Sequence, residues 1–278
     1  IVPRKISRSK LHIGEKTYEA KDKNVIKNYP LWVNKMFDKN LLGNNISDID
    51  KNLLAQTISK IDLFFAKFGV NIDYDNSREL FENLKIVDVQ GKQNYVVSYD
   101  ETSNTIKQNF ENPDFSPKKY EAELVESLLS VLSRKYNFEE DRYDKGLLSR
   151  DTNLRFHGFA LNDMLAAYIG TLITGYNKET DVKDFYLDSP KDYETIPDRA
   201  IHDFCEVFGA EFLLKSFING AGSELFYKVG ETLGSEENAI DLYNSMDSYN
   251  NNSIANRRIY DLNMEELKEK MLENKPKM

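Results

Sequence analysis

The side chains best suited to chemistry in this chain are few. His202 and Glu206 stand four apart on a segment with helical spacing, and Cys205 lies between them. A histidine and a glutamate on one helix face can share a metal or pass a proton, and a thiol beside them suggests a nucleophile. Adjacent helix positions point about 100° apart, however, and Cys205 falls in line with Ile201 and Phe208 on the apolar side. A buried structural thiol is the reading this spacing favours. His157 precedes a second helical segment, where packing at a loop or helix end is favoured over catalysis, and His12 lies in a basic segment and reads as solvated. His157, His202 and Cys205 are thus the alternative site open to a hydrolase that regroups them in three dimensions. There is no glycine-rich phosphate loop, nucleophile elbow or Cys-x-x-Cys pair. Gly220-Ala221-Gly222-Ser223 precedes a helix and has the form of an anion cradle, but an inter-helix turn explains it.

The elements that must position these groups are mostly helices. Ser116-Pro117 is a strong helix start, since the hydroxyl can cap a free amide and proline tolerates the first turn. Tyr120, Leu124, Val125, Leu128, Leu132 and Tyr136 then recur at helical spacing and predict a helix from Ser116 to Asn137. Upstream, Leu53, Leu54, Ile58, Ile61, Phe64, Phe65 and Phe68 predict a helix over Asp48–Phe68 with Gly69 as its stop, and a shorter one starts at Ser77. Lys85–Gln90, Asn94–Tyr99 and Thr105–Phe110 read as three strands of a small antiparallel meander. Helices are predicted at Phe159–Thr174, Asp198–Phe208, Ala210–Asn219, Ser223–Leu233 and Ser235–Asp247, with residues 138–156 and 176–196 as long connections. The class is α+β, mainly α-helical. Residues 1–22 read as a flexible basic arm, followed by an apolar patch (Leu31, Trp32, Val33, Met36, Phe37) on a short helix. Residues 23–250 read as one domain with a helix and strand part (23–115) and a helical part (116–250). The segment 251–278 reads as a solvated C-terminal helix.

The run Leu124–Asn137, followed by Gly158-Phe159-Ala160-Leu161-Asn162-Asp163-Met164-Leu165-Ala166-Ala167-Tyr168, resembles the core of zincin-like, gluzincin-type metallopeptidases of Gram-positive bacteria. Those read His-Glu-Leu-Leu-His on one helix and Leu-Asn-Glu-Gly-x-Thr-Glu-Tyr on a second. Aligned on Leu128-Leu129 and Leu161-Asn162, the first zinc histidine falls on Glu126, the catalytic glutamate on Ser127 and the second histidine on Ser130. The third ligand falls on Asp163 and a supporting acid on Ala167. The resemblance covers about residues 50 to 250 and implies a strand meander packed beside an active-site-type helix pair. It also implies a lost metal site, since serine hydroxyls are poor zinc ligands and cannot act as the carboxylate base. No cofactor or metal is expected; loose calcium or magnesium binding by Glu126 and Asp163 is the less favoured reading. The expected function is that of a catalytically inactive pseudoenzyme binding a protein or peptide, with the edge of the meander open to an added strand. The rivals are a hydrolase with a regrouped site and an unrelated helical interaction protein.

Composition limits the partners. A net charge of −9 argues against dependence on nucleic-acid phosphates. The longest apolar runs fall far short of the roughly 20 residues of a membrane-spanning helix. A single cysteine has no partner in the chain for a disulfide, which tilts the expected compartment toward the cytoplasm.

Overall fold

Ser116 caps the helix that the sequence places after it: its hydroxyl accepts a hydrogen bond from the Lys119 amide, and Pro117 fills the first turn. In the computed structural model this is helix α3, Pro117–Leu132, preceded by α1 (Asp48–Ala66) and α2 (Arg78–Glu82). The residues described are 10–13, 16–19, 39–43, 45–91, 93–176, 196–248 and 253–273. The helix expected around Leu31–Phe37 and most of the 176–196 connection lie outside them. Strands β1 (Lys10–Ile13) and β2 (Lys16–Glu19) pair with each other inside the stretch read from sequence as an arm.

The fold is α+β and mainly helical, with small sheets. The chain divides into two compact units. The first holds Glu19–Tyr143 and Ala166–Lys178; the second holds Asp144–Leu165 and Glu179–Met278, and the β1–β2 segment is shared between them.

In the first unit α1 and α3 pack together through Leu54, Ile58, Ile61, Phe65, Leu124, Leu128 and Leu132, all fully buried. The buried Ser77 hydroxyl donates to the Val131 carbonyl at the end of α3, satisfying a group that a helix terminus leaves open. Beside α3 lies a sheet of β3 (Lys85–Asp88), β4 (Val97–Asp100) and β5 (Thr105–Gln108) in the order β3-β5-β4. The β4–β5 pair is antiparallel as expected, but β3 joins the far side of β5 in parallel, so the sheet is mixed and not a meander. The side chains of Asn109 and Asn112 hold the connection that makes this possible, donating to the carbonyls of Gly91, Gln93 and Tyr95. Glu123 of α3 ties down β4, its carboxylate accepting from the Val96 and Val97 amides at 2.7 Å each.

Helix α3 ends at Leu132, short of the expected Asn137. Arg134–Asn137 is instead strand β6, paired with β7 (Arg142–Lys145). Tyr136 keeps helical spacing from Leu132, but its ring packs edge-on against Tyr143 across the hairpin, 5.2 Å between centroids.

In the second unit β8 (Ser149–Arg150) and β9 (Phe156–His157) form a short hairpin that leads into α4 (Phe159–Thr174), whose later half belongs to the first unit. Then follow α5 (Ile196–Phe208), α6 (Ala210–Ile218), α7 (Gly222–Leu233), α8 (Glu236–Asp247) and α9 (Ile254–Glu273). Phe204, Phe226 and Tyr243 meet edge to face at their centre. Gly222 is needed where α7 meets the β7–β8 connection: a Cβ there would stand 2.3 Å from the Leu148 carbonyl oxygen. The C-terminal helix departs from the expected solvated one. Tyr260, Met264 and Leu267 follow one another at helical spacing, are buried, and pack α9 on α5, α7 and α8. Glu265, Glu269 and Glu273 of this helix are exposed, whereas Lys268 turns toward α5.

Candidate functional site

Four of the positions singled out by the peptidase resemblance lie in the first unit, on α3 and the later half of α4. Glu126 is half-buried and Ser127 is buried, 4% exposed. Ser130 turns its hydroxyl back along its own helix and donates to the Glu126 carbonyl at 3.2 Å. Ala167 is half-buried, and its carbonyl accepts from the Thr171 hydroxyl. The two helices approach closely at Gly170: a Cβ there would lie 3.0 Å from the Ala122 carbonyl oxygen and 3.1 Å from Cγ of Glu126. Gly170 therefore acts as the close-contact residue of this crossing. The set on α3 is one carboxylate and two hydroxyls, with one hydroxyl buried and the other bonded to backbone. It offers no imidazole for zinc.

Asp163 belongs to the second unit. It is exposed and accepts from the side-chain amide of its neighbour Asn162 at 3.1 Å. Asn162 itself is buried and structural, its carbonyl oxygen accepting from the Leu147 amide at 3.0 Å.

His157 sits at the centre of a polar cluster that sequence reasoning missed. It is 3% exposed, with Nδ1 3.1 Å from Oδ1 of Asn244 and Nε2 3.1 Å from Oδ2 of Asp151. Its ring stacks on Phe226 with 7° between the planes. Both nitrogens are thus engaged in joining the β8–β9 hairpin to α8, and the residue is a packing group. Burial pushes the Asp151 carboxyl up, but the Arg155 and Asn153 amides and His157 outweigh it and hold it below the ordinary carboxylate range. Nearby, Asp247 of α8 caps α4 from a distance in sequence, accepting from the Gly158 amide at 2.6 Å and the Ala160 amide at 2.8 Å. Here burial wins over those bonds and raises the carboxyl above its usual value.

His202 and Cys205 share α5 but not a role. Cys205 is 2% exposed, and burial pushes its thiol up to about 12, which removes it as a nucleophile. The bonds of His157 run to Asp151 and Asn244, while His202 lies beside Asp203, 3.7 Å from Nδ1 to Oδ1. The structure therefore gives the three proposed alternative-site residues separate surroundings.

His202, Asp203 and Glu206 do converge, with one ligand-type atom each lying within 4.8 Å of the others. The place of a cation among them is taken by the ammonium of Lys268 from α9, 2.6 Å from Asp203 and 2.9 Å from Glu206. Asp203, 5% exposed, also accepts from the buried Tyr260 hydroxyl at 2.7 Å. This is an ion network that docks α9. The i, i+4 pair on α5 was visible in sequence, but its partner stands more than sixty residues away.

A shallow recess of about 300 Å³ lies at the turn between α7 and α8, lined by Tyr227, Gly230, Glu231, Gly234 and Glu236. The Glu236 carboxylate is held there by the amide and hydroxyl of Thr152, both at 2.9 Å. Among the described residues no helix is long and apolar enough to cross a membrane. Comparison with protein-family models, with curated proteins and with solved structures finds no match to this chain.

Proposed function

We propose that this chain is a catalytically inactive, zincin-like protein that serves as a protein- or peptide-binding scaffold. The observation that carries the reading is the state of α3: the positions of the zinc ligands and of the base hold Glu126, a buried Ser127, and a Ser130 whose hydroxyl is bonded to its own helix. A sheet beside α3 and a second helix in close contact at Gly170 are what such a frame would keep after its metal was lost. Peptide binding fits the sheet better at β3 than at β4, because Glu123 already takes amides on the α3 side of β4. On β3, Lys85, Val87 and Asp88 are exposed, and an edge strand can receive an extended chain by backbone pairing.

The test restores the missing imidazoles. Glu126→His with Ser130→His places two histidines four apart on α3, and calorimetric titration with zinc reads the result. The expected outcome is one zinc per chain, with binding lost when either histidine is returned to the native residue. No zinc binding by the double variant would count against α3 as a former metal-holding helix and so against the resemblance. In the unaltered chain, stoichiometric zinc or chelator-sensitive peptide cleavage would overturn the reading outright.

A further inference from the structure

Two hairpin tips of the chain are of opposite character. The β6–β7 tip carries Phe138, 88% exposed, followed by exposed Glu139, Glu140 and Asp141, of which Glu140 pairs with Arg142 and Asp141 accepts from the Tyr136 hydroxyl. Its shape is fixed from within: the Asn137 side chain accepts from the Glu139 and Glu140 amides, and Tyr136 packs against Phe138. The β8–β9 tip carries Leu154, 68% exposed and held at φ +63, with exposed Arg155 and Phe156. Asp151 fixes this turn by accepting from the Asn153 and Arg155 amides, and its carbonyl accepts from the Leu154 amide. Arg150 lies over the Phe156 ring at 4.4 Å, and Phe159 adds a further half-exposed ring 6.3 Å from Phe156.

A left-handed leucine costs about 1 to 2 kcal/mol, and its side chain stays largely exposed. One tip offers an aromatic ring beside the exposed Glu139; the other offers an apolar side chain beside the exposed Arg155. Both turns are held by their own hydrogen bonds, which lowers the ordering entropy that their union costs. We propose that these tips are complementary docking elements, and that the occupant of the β8–β9 tip is the β6–β7 tip of a second copy of this chain. Phe138 then covers Leu154, while Glu139 faces Arg155. The contact area of two hairpin tips is small, so the association is weak and sensitive to salt. This inference does not depend on the reading of α3.

The experiment is sedimentation equilibrium on the full chain over a wide concentration range, at about 50 mM and about 500 mM salt. Self-association is expected at low salt and is weakened at high salt. Arg155→Glu and Glu139→Lys, both at exposed side chains, should each weaken it about tenfold or more. Mixing the two variants should restore it, because each altered tip then meets an opposite charge. Circular dichroism melts of each variant check that the fold is kept. A monomer at every concentration and salt would overturn the proposal, as would association that both variants leave intact, or a mixture no better than either variant alone.

Discussion

Removing the carboxylate of Asp203 should detach the C-terminal helix from the second unit. Asp203→Ala takes away the acceptor of the Tyr260 hydroxyl and one of the two carboxylates around Lys268. Tyr260 is fully buried, so its hydroxyl has no water to turn to, a loss of about 1 to 3 kcal/mol. Lys268 is about one-third exposed and keeps Glu206, which limits its share to about 1 kcal/mol after solvent screening. Arg199, 3.9 Å from Asp203, is also paired with Asp261 at 2.9 Å and loses little. Together these give about 3 kcal/mol, the lower end for breaking a buried ion pair. Asp203→Asn keeps an acceptor for Tyr260 and should cost about 1 to 2 kcal/mol; Lys268→Met should cost about 1. Urea unfolding followed by circular dichroism measures all three, and at a slope of about 2.5 kcal/mol per molar the alanine midpoint falls by a little over 1 M. The order alanine, then asparagine, then the Lys268 variant carries the test. An alanine loss below about 1 kcal/mol, or one no greater than that of Lys268→Met, would refute the claim that Asp203 and Tyr260 anchor α9.

Leu267→Ala, at a fully buried position of the same helix, should cost about 2 to 5 kcal/mol in the same assay, whereas a solvated helix would lose almost nothing. Glu123→Ala should speed hydrogen exchange at the Val96 and Val97 amides specifically, because both lose the carboxylate that accepts them. Two carboxyls in the second unit should respond to pH in opposite directions. The raised carboxyl of Asp247 contributes stability that is fully present below the ordinary carboxylate value and is lost as pH rises through its folded value. The depressed carboxyl of Asp151 contributes stability present above the ordinary value and lost as pH falls through its folded value. Subtracting the stability-pH curves of Asp247→Asn and Asp151→Asn from that of the unaltered chain should give differences of opposite slope, and a common slope would contradict the assignment.

Helix starts were the most legible part of the fold, because they depend on neighbours in sequence. Ser116-Pro117 announces α3, and Phe159–Thr174 matches α4 residue for residue. The hairpins between them went unseen, since β8 and β9 span two residues each and β6 and β7 are largely charged. The parallel placement of β3 was equally hidden, resting on Asn109 and Asn112 reaching back to a loop. Helix α9 misled because its Lys and Glu outnumber the stripe of Tyr260, Met264 and Leu267 that decides its burial. The Asp151–His157–Asn244 and Asp203–Tyr260–Lys268 clusters join residues as much as 87 positions apart, and local spacing carries no trace of such pairs.

The remote cap on α4 sets an order of events during synthesis. Gly158 and Ala160 leave the ribosome 87 or more residues before Asp247, the group that neutralises their amides. At about 5 to 20 residues per second the interval is roughly 4 to 17 seconds. Throughout it the nascent helix start must rely on water, so a chain truncated before residue 247 should fray at residues 158–160 however well its earlier segments have folded.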